Sequence, residues 1–264
     1  MPELAEVEVV RRNLESWWLG NQGKEVRILD QKLESVPGAS RLESLLLQAP
    51  QRLFRRGKYL FAEFADGVVL FHFRMTGKIT LSEIPEPRFA RLAWLVEPSG
   101  WLVFKDQRRF GDVEVLSWEE YEAYEPLLRM GPEPEDLTVE DLQSRISKRK
   151  MLKSALLDQS VVAGVGNIAI SELFWRSKIP PEARGADLSL QSWENLVLDM
   201  PAYFQEVIEQ SMADEIDYLG EAGNTENIFA IYGREGEPCP RCAESIQKSK
   251  VGGRSSYWCP ACQG

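Results

Sequence analysis

Four cysteines near the end of the chain have the spacing of a metal site. Cys239 and Cys242 form one Cys-x-x-Cys pair, and Cys259 and Cys262 form a second pair after sixteen intervening residues. Two such turns can place four thiolates in a tetrahedron around Zn²⁺, and a closed four-thiolate site leaves no coordination position for a substrate. In a chain with no export signal these thiols would stay reduced rather than form disulfides. We therefore expect one zinc ion with a structural role.

A glycine-containing segment at 162–167 could bind an anion. Gly164 and Gly166 allow close backbone approach, and Asn167 could cap the helix predicted to follow. The N–H groups at such a helix start attract negative charge. The segment lacks the Lys-Ser/Thr pair of a nucleotide-binding P-loop, so we expect no nucleotide cofactor. An ordinary turn between helices is the alternative interpretation.

The first residues form a third chemical pattern. Removal of Met1, which is normal before proline, would expose the secondary amine of Pro2 beside the carboxylate of Glu3. Such an amine can attack a carbonyl-like carbon and give an iminium ion. A plain helix start with Pro2 at the first helical position is the alternative, since proline is common there.

Composition excludes several classes of protein. The chain has a single histidine, His72, which rules out HExxH, three-histidine and two-Cys, two-His zinc sites. No apolar run approaches the roughly 18 residues of a membrane span. The start also lacks the basic-then-apolar pattern of a signal peptide. A cytoplasmic location is therefore expected.

The formal net charge of −10 is concentrated in one segment. Residues 111–141 contain eleven acidic side chains and one basic side chain, whereas the rest of the chain has 30 of each sign. Elsewhere the basic residues form islands around 52–58, 105–109, 145–153 and 248–254. Such islands could together face one anionic partner, and solvated surface charge is the alternative.

Periodicity predicts an α+β chain in three parts. An amphipathic helix over 2–18 precedes short β-type segments up to about residue 118, which fit an antiparallel sandwich or barrel. The acidic, proline-containing stretch 114–141 is interpreted as a hinge. Helices are predicted over 138–212, and a β-hairpin is predicted between the two cysteine pairs. The last unit, from about 226, should need its metal to fold.

Six sequence blocks together resemble one family. They are MPELAEVE at 1–8, RGKYL at 56–60, HFRMTG at 72–77, DQRRFG at 106–111, GVGNI at 164–168 and YGREGEPC at 232–239. In this order, and with the cysteine tail, the chain resembles the formamidopyrimidine-DNA glycosylase and endonuclease VIII family of bifunctional base-excision-repair enzymes. It is most similar to formamidopyrimidine-DNA glycosylase.

The resemblance implies a fold and a partner. An N-terminal helix and antiparallel β-sandwich would occupy 1–130, a helix-two-turn-helix DNA-binding domain 131–225, and a four-cysteine zinc finger 226–264. Damaged double-stranded DNA would bind in the cleft between these modules. The protein would act as a monomer, without a membrane or a nucleotide cofactor, in the cytoplasm and at the nucleoid when bound to DNA.

The resemblance also implies roles for individual residues. Pro2 would attack C1′ of the damaged nucleotide and Glu3 would serve as the acid/base. Lys58 would contact the phosphate beside the lesion and help keep the Pro2 amine unprotonated. The residues that would contact DNA are His72, Met75, Arg108, Phe110, Lys153, Asn167 and Arg254. Met75, Arg108 and Phe110 would fill the space left by the flipped-out base. Lys153, Asn167 and Arg254 would hold phosphates.

Three departures from the family pattern bear on the substrate. Ala5 replaces the usual proline, Ala169 replaces a tyrosine that commonly follows Asn167-Ile168, and residues 213–230 match the usual lesion-capping loop poorly. The expected reaction is excision of 8-oxoguanine and formamidopyrimidines, followed by strand cleavage. One alternative is a preference for oxidised pyrimidines, as in endonuclease VIII, which YWCP at 257–260 favours. The other is a catalytically silent damage-binding protein.

Overall fold

The computed structural model describes residues 2–35, 38–213 and 229–264. The chain divides into two compact units, Met1–Leu128 and Arg129–Gly264. Helices are mixed with antiparallel sheets, which confirms the predicted α+β class. Within the described ranges, no helix is both long enough and apolar enough to cross a membrane.

The first unit is a β-sandwich preceded by a helix. Its strands are β1 (Gly23–Ile28), β2 (Arg52–Arg56), β3 (Tyr59–Phe64), β4 (Gly67–His72), β5 (Gly77–Ser82), β6 (Ala90–Val96), β7 (Gly100–Asp106) and β8 (Asp112–Leu116). Its helices are α1 (Leu4–Trp17), α2 (Gln31–Glu34), α3 (Ala39–Leu46), α4 (Trp118–Glu122) and α5 (Glu125–Leu128). The strands pair antiparallel in two four-stranded sheets, of order β1-β6-β7-β5 and β2-β3-β4-β8.

Alternation along the strands builds the core between the two sheets. On β6, Leu92, Trp94 and Val96 supply every second side chain to this core. Leu60 and Phe64 of β3 do the same from the other sheet. Successive side chains of a strand point to opposite faces, so a period of two buries one face of each sheet against the other.

Part of the acidic stretch belongs to this sandwich, so the interpretation of 114–141 as a hinge is wrong at its start. Glu114 lies in β8, which pairs with β4. The hydroxyl of Tyr124 donates to Glu114 Oε1 at 3.0 Å. Tyr121 of α4 packs edge-on against Phe61 of β3, with ring centroids 5.6 Å apart. The segment therefore begins as a folded layer over the outer face of the sheet rather than as a linker.

The second unit is helical and contains a β-hairpin near its end. Its helices are α6 (Val139–Arg145), α7 (Leu152–Leu156), α8 (Asn167–Arg176), α9 (Leu190–Ala213) and α10 (Pro260–Gln263), with 3₁₀ turns at Pro134–Asp136 and Gly185–Asp187. Strands β9 (Gln247–Val251) and β10 (Arg254–Trp258) form the hairpin predicted between the cysteine pairs. Residues 214–228, which include most of the expected lesion-capping loop, lie outside the described residues.

A buried carboxylate joins α8 to the segment that leads into the zinc module. Glu172 accepts the backbone N–H groups of Ala230 at 3.0 Å, Ile231 at 2.9 Å and Tyr232 at 2.8 Å. Burial raises the pKa of Glu172, although these three donors favour the charged form. The chain that approaches Cys239 is therefore fixed to α8 by one side chain.

Candidate active site and metal centre

Pro2 and Glu3 are buried at the start of α1. Glu3 is the N-cap of this helix and is 3% exposed, and Pro2 is buried ahead of it. Glu3 has an extended backbone, and its N–H donates to Glu6 Oε2 at 2.9 Å. The helix therefore begins at Leu4, and the prediction that Pro2 is its first residue is wrong. The Pro2 nitrogen lies outside the helical backbone.

Two acidic side chains share this terminus. Burial, and next the charge of Glu3, raise the pKa of Glu6 to about 7, although backbone N–H groups favour its carboxylate. A carboxyl group that titrates near neutral pH can accept or release a proton during a reaction. Glu6 has no role among the sequence-based expectations; its spacing of three residues from Glu3 is the signal that could have indicated one.

Lys58 immediately precedes Tyr59, which pairs with His72 across β3 and β4. Lys58 lies at the tip of the β2–β3 hairpin, after Gly57 with its positive φ of 55°, and α1 packs against both strands. The His72 ring stacks on Tyr59, with centroids 4.4 Å apart. Burial, followed by the charges of Arg74 and Lys58, lowers the pKa of His72 to about 4. His72 is therefore neutral at pH 7, so any contact it makes with DNA would be a hydrogen bond.

Two adjacent turns present the residues expected to enter the DNA stack. Met75, between β4 and β5, is 38% exposed, and Phe110, between β7 and β8, is 50% exposed. The Arg108 guanidinium lies over the Phe110 ring, 4.7 Å from its centroid. The turns are adjacent because β5 and β7 are paired, with Gly77 opposite Asp106. Such exposed side chains suit contact with a flat partner such as a base.

In the second unit the structure brings together the three residues expected to hold phosphates. Lys153 is 1% exposed, and its Nζ donates to Ser255 O at 2.8 Å and to Ser256 Oγ at 2.6 Å. Asn167 Nδ2 donates to the same Ser255 oxygen at 3.0 Å, and Arg254 is exposed at the start of β10. Burial, followed by the charge of Arg254, lowers the pKa of Lys153 to about 8. An anion would relieve this repulsion between cations.

The start of α8 differs from the prediction. Asn167 is the first helical residue and Gly166 is the N-cap, so Asn167 does not cap the helix. Gly164, with a φ of 79°, turns the chain, and its N–H donates to Gln159 Oε1 at 2.9 Å. The Asn167 amide consequently reaches the backbone of β10 instead of its own helix.

The four cysteines converge as the sequence predicts. Their Sγ atoms lie within 4.8 Å of one another, with 3.4 Å between Cys242 and Cys259 and 4.0 Å between Cys239 and Cys262. Tetrahedral Zn–S bonds of about 2.3 Å place sulfur atoms about 3.8 Å apart, so the four thiols fit one zinc ion. Burial opposes ionisation of Cys239, but N–H donors, including the indole of Trp175, outweigh it and lower its pKa to about 6.

Side chains around the metal ligands were not found by sequence reasoning. Trp175 Nε1 donates to Cys239 Sγ at 3.4 Å, and the Arg241 guanidinium lies over the Trp175 ring, 4.2 Å from its centroid. Gln263 Oε1 accepts the N–H of Cys259 at 2.8 Å. Such neighbours orient the ligands and tune the metal. No sequence pattern relates Trp175 to Cys239, because the two meet only through the packing of α8.

Three family models match the chain in succession. They are the formamidopyrimidine-DNA glycosylase N-terminal domain over 1–113, the formamidopyrimidine-DNA glycosylase H2TH domain over 128–216, and the zinc finger found in FPG and IleRS over 236–264.

Relatives match the whole chain. A formamidopyrimidine-DNA glycosylase of Streptococcus thermophilus is 35% identical over 271 residues, and one of Pelotomaculum thermopropionicum is 36% identical over 273 residues. Each alignment covers 100% of this chain and 99% of the relative. MutM in complex with carbocyclic 8-oxo-G containing DNA is similar with a TM-score of 0.83 at 35% identity. Lactococcus lactis Fpg with FAPY-dG containing DNA has a TM-score of 0.84 at 34% identity. Both structures match over 99% of each chain.

The chain combines a β-sandwich that buries the Glu3 carboxyl group with a helical unit and a four-thiolate centre. Together with the family matches, these features define an enzyme of the DNA glycosylase class. The chain belongs to the formamidopyrimidine-DNA glycosylase family, and its four cysteines are the ligand set of one structural zinc ion.

Proposed function

We propose that this protein is a bifunctional enzyme that excises oxidised purines from double-stranded DNA and then cleaves the strand at the abasic site. The observation that carries the proposal is the buried Pro2-Glu3 pair beside Glu6, whose pKa is about 7. The similar structures are complexes with DNA that contains 8-oxo-G or FAPY-dG, which supports this substrate class.

The chemistry starts at the Pro2 nitrogen, which is free once Met1 is removed. This nitrogen attacks C1′ of the damaged nucleotide, and the bond from C1′ to the base breaks as the base takes up a proton from water. Glu3 accepts the proton that the nitrogen loses and delivers it to the sugar ring oxygen, so the ring opens to an iminium ion. The iminium acidifies the C2′ proton, which the Glu3 carboxylate removes as the 3′ phosphate leaves, and water then hydrolyses the link to the sugar and frees the Pro2 amine. Glu6 can exchange protons beside Glu3 during these steps.

Lys58 serves this reaction in two ways. Its ammonium contacts the phosphate beside the lesion, and its charge disfavours protonation of the Pro2 amine, which must be neutral to attack. The packing of α1 against the hairpin that carries Lys58 supports this role.

Binding requires the remaining residues. Met75, Arg108 and Phe110 enter the space left by the flipped base, with Arg108 facing the orphaned cytosine. The group of Lys153, Asn167 and Arg254 holds backbone phosphates. His72 contributes a neutral hydrogen-bonding contact.

The assignment of domains follows these roles. Residues 1–130 form the catalytic domain, 131–225 the helix-two-turn-helix domain and 226–264 the zinc finger. The enzyme acts as a monomer on DNA in the bacterial nucleoid.

The test is covalent trapping. Untagged protein is incubated with borohydride and a duplex that carries 8-oxoguanine, a formamidopyrimidine, an oxidised pyrimidine or an abasic site, and the adduct is mapped by mass spectrometry. We expect an adduct on the N-terminal peptide with the purine lesions and the abasic site. The matched control is the same chain with two residues added before Pro2, which should not be trapped.

Three outcomes would count against the proposal. An adduct on a lysine, or equal trapping when extra residues precede Pro2, would remove Pro2 as the nucleophile. Preferential trapping on the oxidised pyrimidine would shift the substrate to the endonuclease VIII type. Binding of lesion DNA without any adduct would indicate a silent damage-binding protein.

A further inference from the structure

The two turns that carry the DNA-inserting side chains are joined below the surface. Residues 73–76 link β4 to β5, and residues 107–111 link β7 to β8. Gly77 pairs with Asp106 across β5 and β7, and His72 pairs with Asp112 across β4 and β8. Both turns therefore emerge from the same end of the sandwich.

One carboxylate bonds to both turns. The Thr76 hydroxyl donates to Asp106 Oδ1. The Arg108 backbone N–H donates to the same Oδ1 at 3.2 Å and to Thr76 Oγ1 at 3.1 Å. Asp106 Oδ2 accepts the Gly111 N–H at 2.6 Å. Asp106 thus holds the second turn at two points and connects it to the first turn through Thr76.

The charge of Asp106 is compensated inside the protein. Asp106 is 1% exposed, and Arg91, equally buried, lies with Nη1 3.4 Å from Asp106 Oδ2. The same Nη1 donates to Gly111 O at 2.6 Å, and Arg91 Nε donates to Asp30 Oδ2 at 2.5 Å. The carboxylate of Asp30 in turn accepts hydrogen bonds from the guanidinium of Arg109. A buried carboxylate needs such partners, and these partners bring further atoms of the 107–111 turn into the network.

The backbone of both turns is unusual in the same way. Arg74 has a φ of 51° and Arg109 has a φ of 56°, which is a left-handed backbone conformation that residues other than glycine rarely adopt. Such conformations cost energy and persist where surrounding contacts impose them. Each turn holds one, close to a side chain expected to enter DNA.

We propose that Asp106 is a positioning residue that, with Thr76, holds the two turns in one fixed arrangement, so that Met75, Arg108 and Phe110 meet DNA as a single preformed unit. This inference rests on the proposed function of those three side chains. Preorganised groups bind without first losing conformational freedom. The discrimination of the opposite base by Arg108 therefore depends on the Thr76 hydroxyl and the Asp106 carboxylate, which themselves contact no nucleotide.

The first test needs no DNA. Replacement of Thr76 by valine keeps the shape of the side chain and removes the acceptor and donor of the link. Hydrogen–deuterium exchange should become faster at the Arg108 amide in Thr76→Val and return to the wild-type rate in Thr76→Ser. Thr80→Val, a change of the same type in the adjoining strand β5, should leave this amide unchanged. Equal exchange in the wild type and Thr76→Val would overturn the inference.

The second test measures the consequence for specificity. Single-turnover excision of 8-oxoguanine is compared opposite cytosine and opposite adenine, with cleavage of an abasic site as reference. Thr76→Val should lower the cytosine-to-adenine ratio by about threefold to tenfold, the range of one net hydrogen bond, and Thr76→Ser should restore it. Abasic-site cleavage should change less than about twofold, since an abasic site offers no damaged base to extract.

The outcomes separate this inference from the proposed function. An unchanged ratio in Thr76→Val, or an equal loss on abasic DNA, would overturn the positioning role. Failure of the wild type to excise any purine would overturn the proposed function, whereas the exchange experiment would still decide whether Thr76 and Asp106 hold the turn.

Discussion

At the scale of single residues, the protonation of Glu6 should make stability depend on pH. Its pKa is about 7 in the folded protein, above the value of 4.5 for an ordinary glutamate. Its contribution to stability is therefore full below pH 4.5 and is lost as the pH rises through about 7. Between pH 5 and 8 the free energy of unfolding should fall less in Glu6→Gln than in the wild type, by roughly 1–3 kcal/mol. Urea unfolding at each pH provides the measurement.

An exposed glutamate provides the control for that measurement. Glu43 lies exposed on α3, and Glu43→Gln should leave the pH dependence of the wild type intact. If Glu6→Gln and the wild type lose stability equally between pH 5 and 8, the carboxyl group of Glu6 does not titrate in this range.

Arg108 should set the preference for the opposite base. A guanidinium can donate two hydrogen bonds to the acceptors of an orphaned cytosine, whereas adenine presents an amino donor. Arg108→Ala should lower the preference for 8-oxoguanine opposite cytosine by about 1–3 kcal/mol, and should slow abasic-site cleavage less. Excision rates opposite each base provide the measurement.

Arg88 is a matched control for Arg108. It is exposed and lies over the ring of Phe89, 4.5 Å from its centroid, as Arg108 lies over Phe110 at 4.7 Å. Arg88→Ala therefore removes the same kind of stacked cation elsewhere on the unit. Loss of discrimination in both variants would point to a general effect of charge rather than to Arg108.

At the scale of elements, α8 should contribute to zinc affinity. Trp175 donates to Cys239 Sγ, and Trp175→Phe removes this donor while keeping an aromatic ring. We expect zinc affinity to fall by about tenfold or more, measured by competition with a chelator, since groups around metal ligands have effects of this size. Trp118→Phe also removes an indole hydrogen bond, to Ala65 O, and should leave zinc affinity unchanged.

The hairpin that bears Arg254 should need the zinc ion to fold and to bind DNA. Cys→Ser at any of the four ligand positions should abolish DNA binding, while the first unit, with its separate core, stays folded. Metal analysis should give one zinc per chain. Normal DNA binding by metal-free protein would contradict the structural role of the ion.

At the scale of the whole molecule, a chain of net charge −10 must bind DNA through local cations. Each phosphate contact contributes about −0.9 to the slope of log affinity against log salt. Arg254→Ala should therefore reduce this slope by about one and weaken binding to lesion and intact DNA alike. Lys248→Ala is the control, because Lys248 already pairs with Glu235 at 3.3 Å. An equal change of slope in both variants would contradict the assignment of Arg254.

The basic island around 52–58 carries less free positive charge than its residue count suggests. Arg52 pairs with Glu63 at 2.7 Å, and Arg55 lies 3.6 Å from Glu8. These arginines belong to β2, where charged residues obscure the alternation around the buried Leu53. Part of the apparent surface charge is thus neutralised within the unit.

Local sequence patterns were sufficient to predict those features of the site and fold that depend on residues close together in the chain. The zinc ligands follow from two Cys-x-x-Cys turns, the Pro2-Glu3 pair from adjacency, and the strands of the core from alternation that β6 shows plainly. Such features rest on backbone geometry over a few residues, which the residue types dictate directly.

Only the tertiary structure could decide what depends on burial and distant contacts. Arg91 meets Asp30 across 61 positions of sequence, and Lys153 meets Ser255 across 102. The raised pKa of Glu6 likewise comes from burial beside Glu3. Sequence determined the adjacency of Pro2 and Glu3 and the metal ligands, whereas folding determined the raised pKa of Glu6 and the position of the turns that carry Met75 and Phe110. Strand register and burial, on which those properties depend, are products of the packed chain.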